Sequence, residues 1–242
     1  MKNLNKILIL DCETTGLIEP IQPTELAWME VTFPELEVLE TFERRYKPSK
    51  PIELGAKVTS GILESELVNE APWDEAVADL PMLHTIDYVI GHNVIYDTNV
   101  LGITELVKII DTKALAQAVF PGLDSYTQSA LIYHIYGDSA KVMLANAHSA
   151  LADIQNNLKL LKVLLTEIAK RPSEFPVLNS IEDLWDFSEE CKVPKVLTFG
   201  KYKGQPYTAL DYGYIQWWLT KSDTKPDEYQ LEALRRAGWK LV

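Results

Sequence analysis

The chain has 242 residues, 47% apolar and 24% charged, an ordinary globular composition that excludes an intrinsically disordered chain. Its length suits one large domain or one domain with a small second module, and the second arrangement is expected. The 35 Asp and Glu outnumber the 23 Lys and Arg, giving a net charge of −12, which excludes a nucleic-acid binder that works by bulk positive charge.

Ile7 to Leu10 is an unbroken apolar run ending at Asp11, the pattern of a strand covered on both faces. Four residues are too few for a membrane span or a secretion signal, and Cys12 and Cys191 are too few for a disulfide framework. A soluble, cytoplasmic protein with no membrane partner is expected. Glu25 to Phe33 and Val38 to Tyr46 read as two further strands of an antiparallel meander. Pro72 to Leu83 has helical spacing, with Trp73, Val77 and Leu80 on one face. A strand at Tyr88 to Ile90, a short helix from about Ile95, a strand at Val107 to Ile110 and helices near 113–119 and 125–136 follow. This order predicts an α/β fold with helices on both faces of a mixed sheet.

Leu151, Ile154, Leu158, Leu161, Leu165 and Ile168 keep one apolar stripe for almost five turns and predict the longest helix. Residues 172–194 then read as a solvated linker, with three prolines, an acidic excess and one short helix around Ile181 to Phe187. The expected organisation is therefore a domain over 1–171, this linker, and a small module over 195–242. Splitting the charge sharpens the picture. Residues 1–175 carry 14 basic and 25 acidic side chains, whereas 191–242 carry nine basic and five acidic, together with nine of the 23 aromatics.

Three short segments carry carboxylates at strand ends or helix starts. In Asp11-Cys12-Glu13-Thr14-Thr15-Gly16, positions i and i+2 of an extended chain put Asp11 and Glu13 on one side. Gly91-His92-Asn93 with Asp97 follows the strand at 88–90, where open α/β sheets place ligands. His148 to Asp153 opens the long helix, and Asp153 sits at the edge of the buried stripe. Taken singly, each has a plain structural explanation: a polar turn, or an acid favoured by the helix dipole. Together, four carboxylates form an oxygen-only donor set suited to Mg²⁺ or Mn²⁺, sufficient for two ions that clamp an in-line phosphoryl displacement.

In order and spacing, Asp11-x-Glu13, Gly91-His92-Asn93 through Asp97, and His148 through Asp153 resemble the three motifs of the DEDDh (DnaQ-like) 3′→5′ exonucleases, over roughly residues 4–168. Tyr46 to Ile52, Phe120-Pro121-Gly122, Thr198 to Gly204 and Tyr214 to Leu219 resemble the exodeoxyribonuclease X-like branch of that family. The resemblance implies a ribonuclease H-like mixed five-stranded sheet flanked by helices, plus a small C-terminal module. It also implies two Mg²⁺ (or Mn²⁺) ions held by Asp11, Glu13, Asp97 and Asp153, with His148 as general base. The substrate implied is DNA with a free 3′ end, single-stranded first and duplex as well, cut to nucleoside 5′-monophosphates in a DNA-repair setting. Thr14, Thr15, Gly16 and Leu17 would hold the terminal nucleotide through backbone amides and an apolar contact, and Asn93 would support the site. Tyr96 stands where the family more often has Phe, and its hydroxyl is expected to be tolerated. Asp97 is expected in a solvated cleft, where replacement by Ala leaves the fold intact.

In the tail, Lys201 and Lys203 in the Gly200–Gly204 loop are candidate DNA contacts. The helical spacing of Tyr214, Trp217 and Trp218 equally suits a module core. An exoribonuclease using the same site, and a non-catalytic nucleic-acid-binding protein, are the competing readings.

Overall fold

Apolar side chains on both faces of the first strand set the architecture. In the computed structural model, which describes residues 5–81, 85–145 and 147–240, β1 (Lys6–Thr14) is central in the sheet. It pairs antiparallel with β2 (Pro23–Val31), which pairs antiparallel with β3 (Val38–Lys47). After α1 (Leu54–Ser60), the two-residue strand β4 (Ala71–Pro72) adds parallel to β3. On the other side of β1, β5 (Ile86–Gly91) and β6 (Lys108–Asp111) are parallel, giving the order β4-β3-β2-β1-β5-β6. The mixed sheet is as expected, except that β4 makes it six-stranded instead of five-stranded.

The helices are α2 (Ile95–Val100), α3 (Thr112–Val119), α4 (Gln128–Tyr136), α5 (Ala140–Met143) and α6 (Ala150–Ala169). Helix α6 packs against β1 and β2. Leu8, Leu10 and Cys12 share a core with Leu26, Trp28, Val94, Leu101 and Ile103. At about 1.5–3 kcal/mol for each large apolar side chain buried, such layers fix the ends of the strands firmly.

Two expectations need correction. The stretch from Pro72 forms a 3₁₀ turn at Trp73–Glu75 followed by further turns, not a helix. The Asp79 carbonyl accepts the Trp28 indole N–H at 3.1 Å, and its carboxylate takes Arg44 and the Tyr46 hydroxyl at 2.8 Å each. Those groups tie the segment to the core, and Trp73, Val77 and Leu80 still pack there. Residues 82–83 of that expected helix, and residues 1–4 and 241–242 of the two expected domains, lie outside the described residues.

The second correction concerns residues 172–194. They hold α7 (Ile181–Lys192), 12 residues long and running five residues past the expected end at Phe187, with Ile181, Leu184 and Ser188 buried. Glu182 pairs with Lys108 at 2.5 Å and hydrogen-bonds the Tyr88 hydroxyl, while Lys108 lies 4.2 Å from the centre of the Trp185 ring. The acidic residues that suggest a solvated linker are thus partly engaged by the sheet. The chain divides into two compact units, Met1–Ser188 and Glu189–Val242, so the division falls within α7.

In the second unit, α8 (Tyr212–Thr220) and α9 (Glu228–Arg236) enclose a core of Leu197, Tyr207, Leu210, Ile215, Trp218, Ala233 and Leu234. Trp218 is buried and Tyr214 packs on it, whereas Trp217 is 43% exposed. Among the described residues, no helix is long and apolar enough to cross a membrane.

Candidate active site

β1 extends through Thr14 instead of stopping before Asp11, because β2 pairs with it all the way to Thr14 opposite Pro23. Its parallel pairing with β5 stops at Ile9 opposite Ile90. Asp11 to Thr14 therefore run past the end of that ladder. Asp11 and Glu13 are half-buried on one face, and Cys12 is buried on the other. A Cβ on Gly91, at the end of β5, would collide with Val94 and come within 2.9 Å of the Leu10 carbonyl. Glycine is therefore needed where β5 passes β1.

Asp153 lies in the first turn of α6, whose N-cap Ser149 accepts a hydrogen bond from Ala152 N–H. His148 has φ 70°, and its backbone N–H donates to Asp153 Oδ2 at 3.1 Å. Its side chain is exposed beside that carboxylate. One carboxylate oxygen from each of Asp11, Glu13 and Asp153 lies within 4.8 Å of the other two. Asp97, 7% exposed on α2, is not one of that group, although it is near enough to Asp11 to raise its carboxyl; its Oδ1 accepts Cys12 N–H at 3.0 Å and the Cys12 thiol at 3.2 Å. This aspartate is thus a buried, hydrogen-bonded part of the fold, not a residue of a solvated cleft.

The electrostatics follow from that packing. Burial, then Asp97, Asp153, Glu13 and Glu25, push the Asp11 carboxyl well above the usual carboxylate range. Burial, then Asp153, Glu25 and Asp97, push Glu13 up to about 8. Burial raises Asp97 to about 6 against the hydrogen bonds from Cys12. Asp153 is raised by burial, with His148 opposing. Among the described residues, no Lys or Arg forms an ion pair with any of these four. Converging like charges that lack a counter-charge, with only oxygen donors, fit a hard divalent cation such as Mg²⁺ or Mn²⁺.

The neighbouring loop behaves differently from expectation. Thr15 N–H donates to the Gln22 carbonyl, Gly16 N–H to Thr14 Oγ1 and Leu17 N–H to Glu53 Oε2. Three of the four amides expected to face a nucleotide are thus already committed within the protein, and Thr15 is fully buried. What the loop presents outward is the Leu17 side chain, 79% exposed. A Cβ at Gly16, φ 132°, would run into the Glu53 carboxylate. The Tyr96 hydroxyl is used as well as tolerated: it donates to the Gly16 carbonyl at 2.7 Å and lies 2.9 Å from Thr14 Oγ1. Asn93 is exposed with φ 65°, and its N–H donates to Asp111 Oδ1 at 2.9 Å. It contributes a tight left-handed turn, which Asn tolerates better than most residues.

Two polar residues without a motif complete the arrangement. Glu25, 2% exposed and directly opposite Glu13, accepts Arg45 Nε–H and Ala150 N–H at 2.8 Å each, tying the start of α6 to the sheet. An acid directly ahead of the apolar run Leu26–Met29 is the one weak signal that could have found it. Gln128 donates to Asp153, and nothing in its local sequence marks it.

The model of the RNase T exonuclease family matches residues 8–161, which include all five motif positions. The chain belongs to this exonuclease family. Its sheet is ribonuclease H-like. The 3′-5′ exonuclease DinG of Bacillus subtilis is 22% identical over 191 residues, 75% of this chain and 20% of that protein. The DNA polymerase III subunit epsilon of Treponema pallidum is 32% identical over 123 residues, 47% of this chain and 56% of that protein. The chain thus spans about a fifth and about half of the length of these curated relatives. Exonuclease X, solved with 5′ overhanging duplex DNA, matches 75% of this chain and 99% of its own at 23% identity, with a TM-score of 0.56. Exonuclease I of E. coli, solved with a dT13 oligonucleotide, matches 70% of this chain and 43% of its own at 20% identity, with a TM-score of 0.57. These two likenesses bear on the fold alone.

Proposed function

We propose that the protein is a divalent-metal-dependent 3′→5′ exodeoxyribonuclease that removes nucleoside 5′-monophosphates from a DNA 3′ end. The observation carrying this is the convergence of Asp11, Glu13 and Asp153 within 4.8 Å, with Asp97 anchored to the same strand end, in a member of an exonuclease family. Asp11, Glu13, Asp97 and Asp153 would hold two Mg²⁺ or Mn²⁺ ions, which supply the charge that an in-line phosphodiester displacement needs. His148, exposed beside Asp153, takes the proton of the attacking water; imidazole as a class suits proton transfer near neutral pH. Leu17 meets the terminal nucleotide through its exposed side chain, and the hydrogen bonds of Thr14, Thr15 and Gly16 hold that loop in shape. Asn93 supports the site through its turn. DNA in the structures of Exonuclease X and Exonuclease I supports a nucleic-acid substrate.

For the tail, Lys203 is the stronger contact candidate. Lys201 is paired with Asp211 at 3.2 Å and lies 4.8 Å from the centre of the Tyr202 ring. The test is digestion of 3′-labelled single-stranded DNA, duplex DNA and RNA side by side with Mg²⁺, with and without EDTA. Mononucleotide release from DNA, abolished by EDTA, is the expected result. Faster digestion of RNA would make it an exoribonuclease, and no release from any substrate would leave a binding protein.

A further inference from the structure

Gln128 is the first residue of α4, immediately after the N-cap Thr127. Its side-chain amide Nε2 lies 3.1 Å from both the backbone carbonyl and Oδ1 of Asp153. Both of those atoms are acceptors, so the face of Gln128 turned toward Asp153 must be the NH₂ group. The opposite end, Oε1, accepts from Asn157 Nδ2 at 3.3 Å, one turn further along α6. Asn157 is buried, and the same Nδ2 also donates to Thr112 Oγ1 at 3.0 Å. That hydroxyl lies 3.1 Å from the Gly91 carbonyl and 3.1 Å from His92 Nδ1, in the Gly-His-Asn segment. A continuous polar path thus joins the turn after β5 to the first turn of α6, and Gln128 is its last member before the carboxylate.

The consequence for Asp153 is geometric. Gln128 holds Oδ1, and the His148 backbone N–H holds Oδ2. With one donor on each oxygen, the carboxylate plane is fixed while lone pairs remain for the neighbouring Asp11 and Glu13 side. We propose that Gln128 is a positioning residue for Asp153: its amide pre-sets the carboxylate in the orientation that receives a divalent ion, and it touches neither ion nor substrate. This rests on the reading of Asp153 as a metal ligand given above. Partners of this kind, one bond removed from the metal, typically change metal affinity or activity by about 10–100-fold when lost.

Gln128→Met keeps the length and removes the donor, at a position only half-buried at a helix start. Its Mn²⁺ affinity, read by titration calorimetry or the Mn²⁺ spin resonance signal, should fall by about tenfold. In saturating Mg²⁺, kcat on 3′-labelled single-stranded DNA should fall while KM holds, and the melting temperature should stay close to the parent's. Gln128→Asn withdraws the amide by one methylene and should give the same direction of change. It replaces Gln128→Met if that variant does not fold. The Asp153→Asn background separates positioning from general support: adding Gln128→Met there should change Mn²⁺ affinity less than twofold.

Parental Mn²⁺ affinity and kcat in both Gln128 variants would overturn the assignment. So would an equal loss of affinity in the Asp153→Asn background, which would make Gln128 a support of the fold. Failure of the exonuclease reading looks different, because the parent protein itself would then neither bind Mn²⁺ nor digest DNA, and the proposal would fall with it.

Discussion

In the unit Met1–Ser188, the carboxylates of Asp11, Glu13, Asp97 and Asp153 are crowded at one strand end with no Lys or Arg partner among the described residues, and all four are shifted upward, Glu13 to about 8. In Glu189–Val242, acids meet hydroxyls, amides and bases instead. The Tyr202 hydroxyl, Tyr214 N–H and Lys201 bring Asp211 down to about 2, and Arg236 lowers both Glu190 and Glu232. The contrast separates two uses of the same side chain. Surface carboxylates neutralised by neighbouring bases have no vacancy for a cation, while a desolvated like-charged cluster is stabilised by one. It also explains why the net charge of −12 is a poor guide to partners: part of it is local demand for metal.

The strongest way to break this contrast is at Asp97. Asp97→Ala would orphan the buried Cys12 N–H at about 1–3 kcal/mol, so Asp97→Asn, which keeps an acceptor, is the cleaner variant. Metal-dependent digestion should fall at least about a thousandfold with circular dichroism and melting temperature nearly unchanged. Parental digestion rates in that variant would remove Asp97 from the metal set.

Next in size is the proton balance. The site carboxylates bind protons more tightly folded than unfolded, so their contribution favours the native state most below about pH 4 and declines as pH rises toward about 8. The lowered acids of the second unit have the opposite sign: they stabilise above about pH 4 and lose that effect as pH falls toward about 2. Mg²⁺ or Mn²⁺ should flatten the first dependence and leave the second unchanged, measured as melting temperature against pH. Calorimetric Mn²⁺ titration at pH 7 in two buffers of different ionisation enthalpy should report a net release of protons. A buffer-independent heat would contradict the crowded-carboxylate account.

The smallest effect belongs to the tail. Among the described residues, Lys201, Arg235 and Arg236 are in ion pairs with acids of their own unit, and Lys203 is not. Lys203→Ala should weaken single-stranded DNA affinity a few-fold and lower the salt slope by about one, while Lys201→Ala changes it less. Equal affinities and slopes for both variants and the parent would take the tail out of substrate binding.

Much of this was legible in the chain because periodicity reports burial. The apolar stripe of Leu151 to Ile168 became α6, and the Ile7–Leu10 run became the centre of the sheet. The motif carboxylates were legible because their spacing repeats a chemical requirement. What was hidden depends on distant partners. β1 reaches Thr14 because β2 lies alongside it, and Trp73 to Leu80 is held in turns because Asp79 serves Trp28, Arg44 and Tyr46. Glu25 and Gln128 act across 125 and 25 residues of sequence, a separation over which local pattern carries no information.

The alternation along β1 has one more consequence, for changes of chain length. Deleting or inserting a single residue between Ile7 and Asp11 would exchange the two faces of the strand beyond that point. Asp11 and Glu13 would enter the apolar layer beside Leu26 and Trp28, and Cys12 would turn toward Asp153. Single substitutions in Ile7–Leu10 are therefore expected to be graded in effect, and single-residue indels there to be all-or-none.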